Sequence, residues 1–397
     1  MKLNIAYAPD DKYINQTIVS MISAIENNKG HEIEFIIIYS KLSKESIEKL
    51  YSVVPLTPNP SPSMGEGNCI QQMSVFQPSY IKDEGESNIT PPPNPLPQGA
   101  GETVYNKRPY PNNTSQENSP QDSFPSAESQ GTGKTPNVKL RLLQVEEYIF
   151  TSLPLSHWVT VQAWFRIKLP DMCPDLDKIL YLDCDTLILG DLSELFKTNL
   201  DDKYLAGVKD VWGVDKYCKR LNIQSGVYVN SGMLLFNAEY CRNENFFEKI
   251  VEFANNNAKI IEFCDQDSIN KIADDKKVVL HPKFNFMDTW WKGGYYEFEG
   301  QEEQDYLEAG RNPVIAHLTG LKPAFKGCEN RFKDKWWEYA KLADIYTELQ
   351  QDYDNSKIPQ EPFKDKIFSI KNKYEGKIKI KVLTILGYRI VISKKGK

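Results

Sequence analysis

The chain has 397 residues, room for one large α/β domain with appendages or for two ordinary domains. With 40% hydrophobic and 12% aromatic residues it has a globular composition, and a net charge of −6 excludes a nucleic-acid binder acting through its overall charge. The seven cysteines form no CxxC pair and no zinc-ligand spacing, which excludes a disulfide framework or structural zinc and leaves reduced thiols.

"MKLNIAYAPDD" opens directly on a strand-like run without the apolar core of a signal peptide. No apolar stretch approaches the ~20 residues needed to span a bilayer, so the expected location is the cytoplasm. The first fifty residues predict a β-α-β-α unit. "LNIAYA" is a short strand, and Tyr13 to Asn27 carries Ile14, Ile18, Met21, Ile22 and Ile25 at helical spacing. "IEFIII" reads as a strand buried on both faces, as parallel strands are. Ser43 then opens a helix with Glu45 in its first turn, where the helix dipole favours negative charge.

From Pro55 to Pro136 the composition changes: fifteen of the 24 prolines lie here among Ser, Asn, Gln and Gly, with no sustained periodicity. Such a segment buries too little apolar surface to offset its ordering entropy, and disorder is expected. "PNPSPSMGEG" (58–67) resembles "PNPLPQGAGE" (93–102), which fits an inserted repetitive element; an ordinary Pro-rich linker or partner-binding segment fits as well. The segment precedes "VKLRLLQV" (138–145), the expected third strand. Helix-to-strand loops of a parallel α/β sheet lie away from the C-terminal strand ends where ligands bind, so it should hang on the side away from any site.

Beyond it the pattern predicts a helix over 157–169, strands at 179–182, 204–208 and 231–236, helices over 239–255 and 267–273, and a last buried strand within 312–318. The implied domain is discontinuous, 1–54 with 137–348, followed by a tail over 349–397.

In "ILYLDCDTLILGDL" (179–192), Asp183 and Asp185 are one residue apart after an apolar run. Residues i and i+2 of a strand face the same way, so both carboxylates can converge on one point. At that distance they repel, and a divalent cation such as Mg²⁺ or Mn²⁺ relieves the repulsion. The polar rim of a sheet is the competing explanation.

Other motifs weigh against a rim. "IAYAPDDKYI" follows the first strand, "HWVTVQAWFRIKLP" carries Arg166, "AGVKD" ends on Asp210, and "YVNSGMLLFN" carries Asn230, Ser231 and Gly232. "FCDQDSIN" supplies Asp265, Gln266 and Asp267, and "HLTGLKPAF" contains His317, Gly320 and Lys322. Together these segments resemble the retaining glycosyltransferases of family 8, which include bacterial lipopolysaccharide glucosyl- and galactosyltransferases and the glycogenins.

The resemblance covers roughly 1–54 and 137–332. It implies a GT-A-type, Rossmann-like α/β fold with a mixed, mostly parallel sheet, and a UDP-hexose donor bound through Mn²⁺ or Mg²⁺. It places Ala8 and Asp10 at the base; Lys12 stands where the family often has Asn, and Asp10 also reads as a helix N-cap. It places Arg166 on the sugar or diphosphate, Asp210, Asn230, Ser231 and Gly232 at sugar hydroxyls, Asp265 on a hydroxyl of the donor sugar and Gln266 near the reacting carbon. Asp183, Asp185 and His317 become the metal ligands, and Gly320 and Lys322 lie at the diphosphate. A role for His157 would be on the acceptor side. Gly232 also has a physical reading of its own, since a glycine lets backbone approach a ligand closely. Asp267 reads equally as part of a capped helix start.

Residues 364–397 hold eleven Lys/Arg against two Asp/Glu. They suit an anionic membrane surface, as basic tails often do among the family's lipid-directed members, or a solvated tail. The expected function is retaining transfer of glucose or galactose to a saccharide or glycolipid acceptor, such as lipopolysaccharide or another cell-surface glycan. The alternatives are an impaired relative or scaffold acting through the insert and tail, or a nucleotidyltransferase, although "APDDKY" lacks the Gly-rich basic loop such an enzyme carries.

Overall fold

The computed structural model describes residues 1–54, 137–155, 160–211, 213–288, 298–356 and the backbone of three C-terminal strands. The Pro-rich segment 55–136 and His157 lie outside the described residues.

Seven strands form the central sheet: β1 (Lys2–Tyr7), β2 (Glu32–Tyr39), β3 (Val138–Gln144), β4 (Lys178–Leu182), β6 (Leu205–Lys209), β7 (Val229–Asn237) and β8 (Lys277–Leu280). Their order is β3-β2-β1-β4-β7-β6-β8. Only β7 runs antiparallel to its neighbours, β4 and β6; the other four pairings are parallel. The strands are apolar on both faces because both are covered. Leu3, Ile5 and Tyr7 of β1 pack into one core with helix α1 (Ile14–Asn27), while Ala6 packs into a second with Trp164, Phe165 and Phe236.

Two expected helices are interrupted. The stretch expected as one helix over 157–169 contains the short turns Gln162–Phe165, Arg166–Lys168 and Leu169–Met172, with Pro170 in the first turn of the last. Proline cannot donate to the preceding turn, so the ladder restarts there. The helix expected over 239–255 divides into Ala238–Asn243 and Phe246–Asn256, separated by Asn245 in the left-handed region at φ 52°.

The last expected strand, β9 (Ile315–His317), is absent from the central sheet. It pairs antiparallel with β5 (Thr186–Ile188), placing His317 opposite Thr186. The strand order reverses between β1 and β4, and ligands of α/β sheets bind in the crevice at such a point. Asp10 follows β1 and Asp183 follows β4. Because β7 is antiparallel, its first residues, not its last, reach this same edge; Leu182 pairs with Met233. β3 starts at the opposite edge, with Val138 beside Ile33, which pairs with Leu3.

The expected end of the domain at 348 falls inside the helix Tyr346–Asn355, whose Leu349 is buried in the main core. Farther on, Phe368–Glu375, Ile378–Ile385 and Tyr388–Gly396 form an antiparallel three-stranded sheet. No helix among the described residues is long and apolar enough to cross a membrane.

Asn28 ties α1 to the loop after β5. Its amide donates to Ala24 O and Gly190 O, and its Oδ1 accepts from Leu192 N. The residue is 1% exposed, so Asn28→Ala leaves buried backbone groups without partners. The expected loss is about 1–3 kcal/mol of stability, read from urea unfolding.

Candidate active site

Asp183, Cys184 and Asp185 lie in a turn beyond β4, not in extended strand. Thr186 N donates to Asp183 O at 3.1 Å, and the Thr186 hydroxyl donates to the same oxygen at 2.9 Å. The two carboxylates therefore converge through this turn, while strand alternation ends at Leu182. Asp183 N donates to Gly232 O at 2.8 Å, pinning the turn to β7.

The β5–β9 pairing brings His317 against the turn. Its Nε2 lies 3.2 Å from Asp185 Oδ1 and 3.8 Å from Asp183 Oδ2, and one ligand atom from each of the three side chains falls within 4.8 Å of the others. Two carboxylates and an imidazole are a donor set for a divalent cation. Gly232 supplies the room. A Cβ there would stand 2.2 Å from His317 Cε1 and 2.8 Å from Asp183 Oδ2. The glycine thus gives space to the imidazole and carboxylate, a tighter requirement than backbone approach to a ligand.

Lys322, two residues beyond Gly320 (φ 83°), binds Asp185 through its ammonium and also donates to Leu318 O at 3.1 Å. Burial alone would raise the Asp185 pKa, but Lys322 and His317 hold it well below the ordinary carboxylate range. Burial likewise opposes charge on His317, yet Asp185 and Asp183 raise its pKa above the ordinary value. Between the acids, burial pushes the Cys184 thiol up to about 12, which makes it an inert neighbour and a poor ligand.

Arg166 is 5% exposed and joins the turn to the second half of the site. It lies 3.1 Å from Asp183 Oδ1 and 3.3 Å from Asp265 Oδ2, donates to Ser231 O at 2.5 Å, and stacks over the Tyr181 ring at 4.3 Å. Burial raises the Asp265 carboxyl to about 6 despite that arginine.

Gln266 sits in the first turn of the helix Cys264–Ile272, three residues earlier than the expected start. Its Oε1 accepts from Ser231 N at 2.9 Å and Asn230 Nδ2 at 3.2 Å, and its Nε2 donates to Asp210 Oδ2 at 3.1 Å. Asp267, fully buried, accepts from Arg220, Tyr228 and the backbone of Glu262 and Phe263. It is not the cap expected from sequence: it lies inside the helix, one turn from the start, and ties that start to the preceding backbone.

Asp10 accepts from Lys12 N and Tyr13 N, so its N-cap role is realised, and Ala8 is buried at the end of β1. Ten of the site residues expected from sequence are brought together: a cluster of Asp183, Asp185, His317 and Lys322, and a lattice of Asp210, Asn230, Ser231, Asp265 and Gln266, with Arg166 bridging them. Sequence reasoning missed Tyr181, read as part of the apolar approach strand, and Asn285. Asn285 is fully buried between His317 Nδ1 (3.1 Å) and Asn230 Oδ1 (3.0 Å). No motif surrounds it, and only its position in space reveals it. Among the described residues the cysteines are all free thiols.

Gly232→Ala should swing the His317 ring out of the cluster. A roughly tenfold or greater loss of Mn²⁺ affinity is expected, with a stability cost of about 1–3 kcal/mol from overpacking. Mn²⁺ titration and thermal unfolding of the same sample check both.

A sequence profile described as glycosyl transferase family 8 matches residues 113–324, just over half of the chain. General stress protein A of Bacillus subtilis is 28% identical over 208 residues, covering 51% of this chain and 72% of that protein. Glycosyltransferase GlyB of Streptococcus pneumoniae is 32% identical over 188 residues, covering 47% of this chain and 44% of that one. The solved galactosyltransferase LgtC, in complex with donor and acceptor sugar analogs, aligns with a TM-score of 0.61 at 19% identity, over 89% of this chain and all of that chain. The bifunctional glycosyltransferase WbbM aligns at 0.60 and 17% identity, over 89% of this chain and 52% of that one. At such identities the structural likeness speaks to fold, which is of the GT-A type. With the profile spanning just over half of the chain and the motifs from Arg166 to Lys322, the chain belongs to glycosyl transferase family 8.

Proposed function

We propose that the protein transfers a hexose, glucose or galactose, from a UDP-sugar to a saccharide acceptor with retention of anomeric configuration. One observation carries this reading: two carboxylates, an imidazole and a lysine from segments over 130 residues apart meet beyond β4, beside a second lattice of carboxylates and amides.

Asp183, Asp185 and His317 would hold the cation, Mn²⁺ or Mg²⁺. Once bound, it would neutralise charge on the donor diphosphate and on the leaving group. Lys322 and Arg166 add fixed positive charge around the diphosphate without reorganisation during the reaction. Gly320 lets the chain turn back so that Lys322 faces the cluster. Ala8 and Asp10, at the end of β1, border the place for the uracil base, while Asp210, Asn230 and Ser231 orient sugar hydroxyls.

Asp265 and Gln266 stand nearest the reacting carbon. Asp265 is held by Arg166, and Gln266 uses both ends of its amide in hydrogen bonds, which supports positioning over nucleophilic attack. The acceptor hydroxyl then attacks on the face from which the diphosphate departs. The new C–O bond forms as the old one breaks, its electron pair leaves on phosphate oxygen, and that phosphate takes the hydroxyl proton.

The acceptor in this reading is lipopolysaccharide or another surface glycan. The basic segment 364–397 supports attachment to the anionic cytoplasmic face of a membrane. The match to glycosyltransferase GlyB spans under half of that protein.

Purified protein given a panel of UDP-sugars with Mn²⁺ should hydrolyse one preferentially, and Asp185→Asn should lower that rate roughly a hundredfold or more. Indifference to the substitution removes the metal role, and a covalent sugar–enzyme adduct seen by mass spectrometry removes the same-face mechanism.

Proton and cation compete for His317 Nε2, so Mn²⁺ affinity should depend on pH. Below the raised His317 pKa the ring carries the proton, and affinity falls about tenfold for each unit of acidification. Above it affinity levels off. Mn²⁺ titrations across a pH series test the sign.

A further inference from the structure

We propose that Asn285 is a positioning residue that fixes the tautomer of His317, acting as the last link of a hydrogen-bond relay that starts at the backbone of β7. This rests on the reading of Asp183, Asp185 and His317 as cation ligands.

The direction of the relay follows from groups that cannot reverse their roles. Gly232 N is a backbone donor, and it donates to Asn230 Oδ1 at 3.0 Å. At the other end of the same side chain, Asn230 Nδ2 faces the carboxylate of Asp210 at 3.3 Å, an acceptor when ionised, and Gln266 Oε1 at 3.2 Å. Gln266 Oε1 is itself fixed as an acceptor by Ser231 N at 2.9 Å. The amide orientation of Asn230 is therefore determined, with its oxygen towards Asn285.

Asn285 lies 3.0 Å from that oxygen, so the group it presents there must be Nδ2, the donor. Its Oδ1 is then left for His317 Nδ1 at 3.1 Å. Flipping Asn285 would set two acceptors against each other at Asn230 and lose a hydrogen bond at a fully buried side chain, out of reach of bulk solvent. An acceptor at Nδ1 keeps the proton on Nδ1. The lone pair of the neutral ring is thereby left on Nε2, the nitrogen that faces Asp185 at 3.2 Å and Asp183 at 3.8 Å. A ligating histidine is commonly held in this way by a partner on the far side of its ring.

The relay has a second consequence. Gln266 and Asp210 belong to the same hydrogen-bonded lattice as Asn230, so the ring that would bind the cation and the side chains that would meet the sugar share one rigid frame.

The test is binding of Mn²⁺ alone, read as loss of the free-ion paramagnetic resonance signal, for full-length wild type, Asn285→Leu, Asn285→Asp and the control Asn28→Ala. Circular dichroism establishes that each is folded. Asn285→Leu should weaken binding roughly 10–100-fold. Asn285→Asp keeps an oxygen opposite Nδ1 and gives up the donor to Asn230 Oδ1, a stability cost present with and without the cation, so it should bind within about threefold of wild type. Asn28→Ala loses buried hydrogen bonds away from the site and should bind as wild type does.

Equal binding by wild type and Asn285→Leu overturns the relay while leaving the cation site intact. So does equal weakening in Asn285→Leu and Asn285→Asp, because that marks a packing role. If Asn285→Leu does not fold, a loss of about tenfold or more in Asn285→Asp overturns the proposal and retention supports it. Failure of the wild type itself to bind Mn²⁺ removes the cation reading, a result distinct from every variant-specific outcome.

Discussion

Asp183 and Asp185 impose the constraint around which the site is built. Their carboxylates share one tight turn, and the Asp185 side chain is only 13% exposed. Negative charges so placed repel one another, and Asp185 has little water to screen it. The fold answers with positive or polar groups on every side: Arg166 and Tyr181 on Asp183, and Lys322 and His317 on Asp185. A cation fits this economy of charge because it compensates both acids at once.

Each compensating group is delivered by a different piece of architecture. The one antiparallel strand of the central sheet, β7, brings its first residues to the edge where β4 ends, and Gly232 leaves space there for His317. The small β5–β9 sheet returns the chain to the turn and sets His317 opposite Thr186. Arg166 comes from the broken helical segment packed in the second core, where Trp164 and Phe165 are fully buried. Its aromatic anchors set the guanidinium between Asp183 and Asp265.

The two acids of "DQD" separate by environment. Asp267 is enclosed by Arg220, Tyr228 and two backbone amides, which use its acceptor capacity in holding the helix start. Asp265 has one cationic neighbour, Arg166, and burial raises its pKa. A carboxyl with spare acceptor capacity beside amides is suited to a ligand's hydroxyls. A fully used one is suited to structure.

Much of this was legible in the chain itself. The apolar runs defined the β-α-β-α start and the strands ending near Asp183 and Asp210, because hydrophobic periodicity is a local property. The spacing of Asp183 and Asp185 and the pairing of His317 with Lys322 marked the cluster, since residue types near in sequence carry their chemistry wherever the fold takes them. Tertiary structure decided the rest. The turn that gathers the acids, the transfer of β9 out of the main sheet, the need for glycine at 232 and the part played by Asn285 all depend on contacts between segments distant in sequence. Asn285 meets His317 across 32 residues and Asn230 across 55. A lone asparagine has no periodicity and no motif to announce such a role, and only packing brings its amide between the two.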